Sequence, residues 1–174
     1  MADRKHIQQD GHPTIFSLRI AAIASALTTV IVFAWAVREH QKLGIYADVD
    51  GTSLCGMIVA TASYALAWSL VPLTVRLLLH RALHPGIYIA FDFIAFGAVL
   101  ATTIVTMLLL IPAAEGGYPC RWGGSGVCRN HTLSNVEFFG YAIALLNSVL
   151  HCVQFVWACW ACDRYRKQSR EINV

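Results

Sequence analysis

The chain is 174 residues long, 57% hydrophobic and only 13% charged, with a formal net charge of +3. A water-soluble domain is typically about 45–50% apolar and about 25% charged, so this composition excludes an ordinary soluble fold. So small a net charge gives no footing for nucleic-acid binding, and the length suits one domain.

Residues 1–14 read as a polar tail. Four apolar segments follow, each near the roughly 20 residues needed to cross about 30 Å of hydrocarbon. They span about 15–37, 54–79, 86–112 and 136–162. Helices are expected, because a spanning segment must satisfy its own backbone polar groups and these lack the alternation of barrel strands. The fold class is therefore all-α, an integral membrane four-helix bundle over residues 15–162, with 163–174 as a basic tail. The first segment is too long for a signal-peptide core, and Arg38-Glu39-His40 follows it where a cleavage site would need small residues. It is expected to be retained.

Within the first segment, Arg19 is a charge about four residues from its start. The second carries Gly56, Ala60, Ser63 and Ala67 along one face, and Pro72 near its far end. The third carries Asp92 and the small pair Gly97 and Ala101. Small residues let membrane helices approach closely, so these stripes favour a compact bundle. Charge inside a membrane is costly and seldom accidental. Arg19 and Asp92 fall at similar depth and are expected to meet; the alternative is that Arg19 snorkels to the headgroups and Asp92 bonds elsewhere.

The loop after the third segment holds Cys120 and Cys128 around Gly123, Gly124 and Gly126. A disulfide between them fits an oxidising compartment. Asn130-His131-Thr132 is a glycosylation sequon, or a chance match. Both features ask for the non-cytoplasmic side. The basic residues agree: with the N-terminus inside, nine of the 13 Lys and Arg fall on the cytoplasmic side and four outside. Both termini are expected in the cytoplasm.

Glu137 opens the fourth segment, where a carboxylate suits the helix dipole. Gly140, Ala144 and Ser148 form a third small stripe, and Asn147, His151 and Gln154 form a polar face. Such a face serves interhelical hydrogen bonding or, alternatively, a transport path. Cys159 and Cys162 sit beside the basic tail. They are candidates for S-palmitoylation, for plain buried thiols or, through their C-x-x-C spacing, for thiol redox chemistry. The seven histidines are scattered, with no cysteine or carboxylate at ligand spacing along the chain, so neither a metal site nor a cofactor is expected.

Leu18-Arg19-Ile20, Ser63-Tyr64-Ala65-Leu66, Phe91-Asp92-Phe93-Ile94-Ala95-Phe96 and the loop cysteines fall in an order that resembles fungal MARVEL-type tetraspan proteins. The resemblance covers roughly residues 15–162. It implies membrane organisation, vesicle trafficking or an accessory role in a larger complex, in the plasma membrane or a secretory-pathway membrane, without catalysis. The partners it implies are membrane lipids, further copies of the chain or other membrane proteins. The alternative class is a small transporter or membrane-embedded enzyme using the polar residues of the third and fourth segments.

Overall fold

A computed structural model describes residues 13–43, 51–79, 85–116, 118–119, 127–128 and 131–172. It contains four helices: α1 (Pro13–Leu43), α2 (Gly51–Leu79), α3 (Pro85–Gly116) and α4 (His131–Ile172). Two-residue strands β1 (Tyr118–Pro119) and β2 (Val127–Cys128) pair antiparallel between α3 and α4, with Tyr118 opposite Cys128. Prolines begin α1 and α3, where the missing N–H would have had no helical partner. All four helices are long and apolar enough to cross a membrane, and mean hydropathy over their best windows runs from 1.7 to 2.5. The protein is an all-α, membrane-spanning four-helix bundle.

The helices exceed the apolar runs. Glu137 lies in the second turn of α4 instead of opening it, because helix formation starts at His131. At the other end α4 continues through the basic segment to Ile172, where an exposed Asp163–Lys167 pair of 2.7 Å bridges one turn. Pro72 is accommodated inside α2.

Helices adjacent in sequence pack side by side, and α4 closes the ring against α1. Cross-helix contacts run in antiparallel register: Thr61 Oγ1 meets Thr102 Oγ1 at 3.0 Å, and Thr106 Oγ1 reaches the Leu54 carbonyl at 3.5 Å. The outside is apolar, with Ile31, Leu78, Phe93, Leu108 and Val156 each more than half exposed. This is how a bundle solvated by lipid distributes its surface, since lipid tails are as apolar as leucine.

Two apolar clusters stack inside. One joins Phe33, Ala36, Leu54, Ile58, Leu110, Leu133 and Tyr141. The other joins Ala65, Trp68, Tyr88, Ala95, Val99, Ala144 and Ala158. Interior hydroxyls are largely satisfied locally: Thr29 and Thr103 donate to carbonyls one turn back at 2.9 and 2.7 Å.

The small-residue stripes divide. Gly140, Ala144 and Ser148 are buried. Ala60, Ser63, Ala67 and Ala101 are exposed instead, and a methyl group added at Gly56 or Gly97 would meet nothing within 4 Å. The cause is rotational. Cys55, Ile58, Ala62, Ala65 and Ser69 take the inner side of α2, and a stripe displaced by one residue is turned by about 100°.

Candidate functional site

Each helix sends a polar side chain to one point. Asp92, on α3, is fully buried. Its Oδ2 accepts from Arg19 Nη2 of α1 at 3.1 Å, its Oδ1 accepts from Trp68 Nε1 of α2 at 2.7 Å, and His151 Nδ1 of α4 lies 3.2 Å from the same Oδ1. Arg19 crosses the bundle diagonally to make this contact. Its guanidinium also lies 5.0 Å from the centre of the Tyr88 ring, a cation–π arrangement. Trp68 is fixed by stacking on Phe91 at 4.5 Å and by an edge contact with Tyr88 at 6.3 Å.

The polar face of α4 turns inward as a whole: Asn147 and His151 are fully buried, and Gln154 is 5% exposed. Ser25 Oγ lies 3.1 Å from Asn147 Oδ1, and Ser148 Oγ donates to the Phe96 carbonyl at 3.2 Å. Bonding is incomplete, however. Arg19 Nη1, Ser69 Oγ, Asn147 Nδ2, His151 Nε2 and both amide atoms of Gln154 are buried with no hydrogen-bond partner among the described residues. An unmet buried polar group costs about 1–3 kcal/mol, and such groups are commonly satisfied by internal water.

A second polar centre occupies the opposite end of the bundle. His40 Nε2 of α1 lies 2.7 Å from Glu137 Oε1 of α4, and Cys55 Sγ of α2 lies 3.8 Å from the same oxygen. All three side chains are buried. Gly51 makes room for the imidazole, since a Cβ there would fall 2.8 Å from the His40 ring. Along α4, the 14 residues from Glu137 to His151 separate the two centres by about 21 Å. The Phe33–Tyr141 pair, 5.3 Å between ring centres, lies between them.

Near the far end of α4, Cys159 and Cys162 are half-buried free thiols, as is Cys152. Cys152, Val153, Val156, Trp157 and Trp160 line an apolar groove, and Arg164 caps Trp160 at 3.9 Å. Tryptophan and arginine at such a level suit a membrane interface. Cys120 and Asn130 lie outside the described residues, so the expected disulfide and glycosylation are not among the observed features.

Sequence inspection marks Arg19, Asp92 and the α4 polar face, but gives no reason to add Trp68 to them. It also misses the His40–Cys55–Glu137 group, whose members lie 15 and 82 residues apart. Comparison with protein-family models, curated proteins and solved structures returns no match.

Proposed function

We propose that this chain is a non-enzymatic membrane-organising protein of MARVEL-like type, acting in the plasma membrane or a secretory-pathway membrane through self-association or as a subunit of a larger complex. The observation carrying this reading is the outward placement of Gly56, Ala60, Ser63 and Ala67 on a lipid-facing helix. Small residues turned to lipid leave a shallow face on which another helix can pack closely. The positive-inside bias puts both termini in the cytoplasm. In that orientation Cys120 and Cys128 fall on the lumenal side, where an oxidising compartment favours a bridge between them, Asn130 is available for glycosylation, and Cys159 and Cys162 face palmitoylating enzymes.

Replacing Gly56 and Ala60 together by leucine tests it. Monomer stability is not expected to fall, since a side chain at Gly56 meets nothing within 4 Å and Ala60 is exposed. Energy transfer between donor- and acceptor-labelled copies in liposomes is expected to fall to the dilution background. Transfer at the wild-type level would overturn self-association through this face.

The unmet polar atoms around Asp92 favour a second reading, passage or binding of a small polar solute. It requires water to reach the centre. A cysteine introduced at Ser69 is then expected to react with a membrane-impermeant thiol reagent in sealed vesicles. An unreactive cysteine at this position would mark the centre as sealed and purely structural.

A further inference from the structure

We propose that His40, Cys55 and Glu137 form a binding site for a borderline divalent transition-metal ion such as zinc. The inference is independent of the membrane-organising reading. The three potential ligand atoms, His40 Nε2, Cys55 Sγ and a Glu137 carboxylate oxygen, come from three helices and all lie within 4.8 Å of one another. Nitrogen, sulfur and oxygen donors together suit zinc, which takes imidazole, thiolate and carboxylate in tetrahedral sites.

His40 Nε2 and Glu137 Oε1 sit slightly closer together than a bound ion would hold them. A tetrahedral ion with bonds of about 2.0–2.3 Å holds its ligand atoms about 3.3–3.7 Å apart. The Cys55–Glu137 separation of 3.8 Å is just beyond that range, whereas His40 and Glu137, at 2.7 Å, are hydrogen-bonded and must part by somewhat under 1 Å. A rotation of either terminal group provides that movement, and the second carboxylate oxygen of Glu137 offers another route.

Charge favours the same assignment. Neutral imidazole, thiolate and carboxylate carry −2 together, which a divalent ion cancels. Metal binding takes these ligands in their deprotonated forms, and the occupied site then carries no net charge in a medium where net charge is costly. The position also fits. His40 lies two residues before the end of its apolar span and Cys55 four residues after the start of its own, so the site is toward one end of the spans and not at their middle. Three protein ligands leave a fourth position for water or another ligand, as in open zinc sites.

The test is cobalt(II) titration of the purified full-length protein in nanodiscs. Expected is a near-ultraviolet sulfur-to-cobalt charge-transfer band with tetrahedral visible absorption, saturating at one ion per chain and abolished by added zinc. Cys55→Ser is expected to remove the charge-transfer band, while Cys152→Ser/Cys159→Ser/Cys162→Ser keeps it. Glu137→Gln retains a hydrogen bond to His40, so it preserves the fold while removing an anionic ligand. Its affinity is expected to drop at least ~10–100-fold, the loss seen even when an outer partner of a metal ligand is removed. Helical circular dichroism establishes that each variant is folded. A wild-type protein without the band, a band that survives Cys55→Ser, or unchanged affinity in folded Glu137→Gln would each overturn the site.

Discussion

Asp92→Leu is expected to destabilise the bundle by about 3 kcal/mol, read as a shift in the denaturant-induced unfolding midpoint in micelles. Removing one partner of a buried ion pair typically costs about 3–5 kcal/mol, because the other charge stays behind uncompensated. Here three donors lose their acceptor together: Arg19 Nη2, Trp68 Nε1 and, in the tautomer that donates, His151 Nδ1. The lower end of the range is expected because Arg19 lies only six residues into α1 and can swing its guanidinium toward the membrane surface. Asp92→Asn separates charge from shape. Its oxygen can still accept from Trp68, but its amide nitrogen then faces Arg19 Nη2, donor against donor. It is therefore expected to lose most of the ion pair while keeping the indole in place. The double variant Arg19→Met/Asp92→Leu is expected to recover a large part of the single-variant loss, since an apolar replacement of a buried pair is often neutral or better. A double variant less stable than Asp92→Leu alone would show that the pair holds the bundle together beyond compensating its own burial.

The two centres differ in how they can be seen from sequence. Hydropathy exposes Arg19 and Asp92 because each breaks an apolar run, and helical spacing alone places Asn147, His151 and Gln154 on one face. Four spanning helices follow from the same apolar runs. What a linear reading lacks is helix rotation. Ser63 and Ser69 look alike in the sequence, yet one is exposed and the other buried. The difference is set by which face of α2 meets its neighbours, not by any local signal. Trp68 looks like an ordinary interfacial aromatic until α2 and α3 are docked and its N–H points at Asp92. The His40–Cys55–Glu137 group is harder still. Its members sit at the ends of three apolar runs, where polar residues are expected anyway, and only the antiparallel register of α1 against α2 and α4 joins them. A search for ligands spaced along one helix or loop cannot find a site assembled from helix ends.

Helix docking also sets the second large expectation, at Gly140. A Cβ there would lie 2.8 Å from Val32 Cγ1 and from Phe33 Cε2, and 3.0 Å from Phe33 Cζ. Phe33 has little freedom to yield, being fully buried and in ring contact with Tyr141 at 5.3 Å. Gly140→Leu is expected to destabilise the bundle by about 3 kcal/mol, at the upper end of overpacking costs, by forcing α1 and α4 apart. Gly140→Ala opposes a clash of about 1–3 kcal/mol with a helix-propensity gain of about 1 kcal/mol, and a net loss near 1 kcal/mol is expected. Gly56→Ala has the same propensity gain and no clash, since nothing lies within 4 Å of its new methyl group. Its stability is expected to rise by up to about 1 kcal/mol. Opposite signs for one substitution at two glycines would tie the effect to the α1–α4 contact. Phe33→Leu in the Gly140→Ala background is expected to relieve part of the clash, so the double variant should lose less than the sum of the singles. Additive losses would mean that the two side chains do not meet, and that the α1–α4 approach at Gly140 is wider than the 2.8 Å clearance requires.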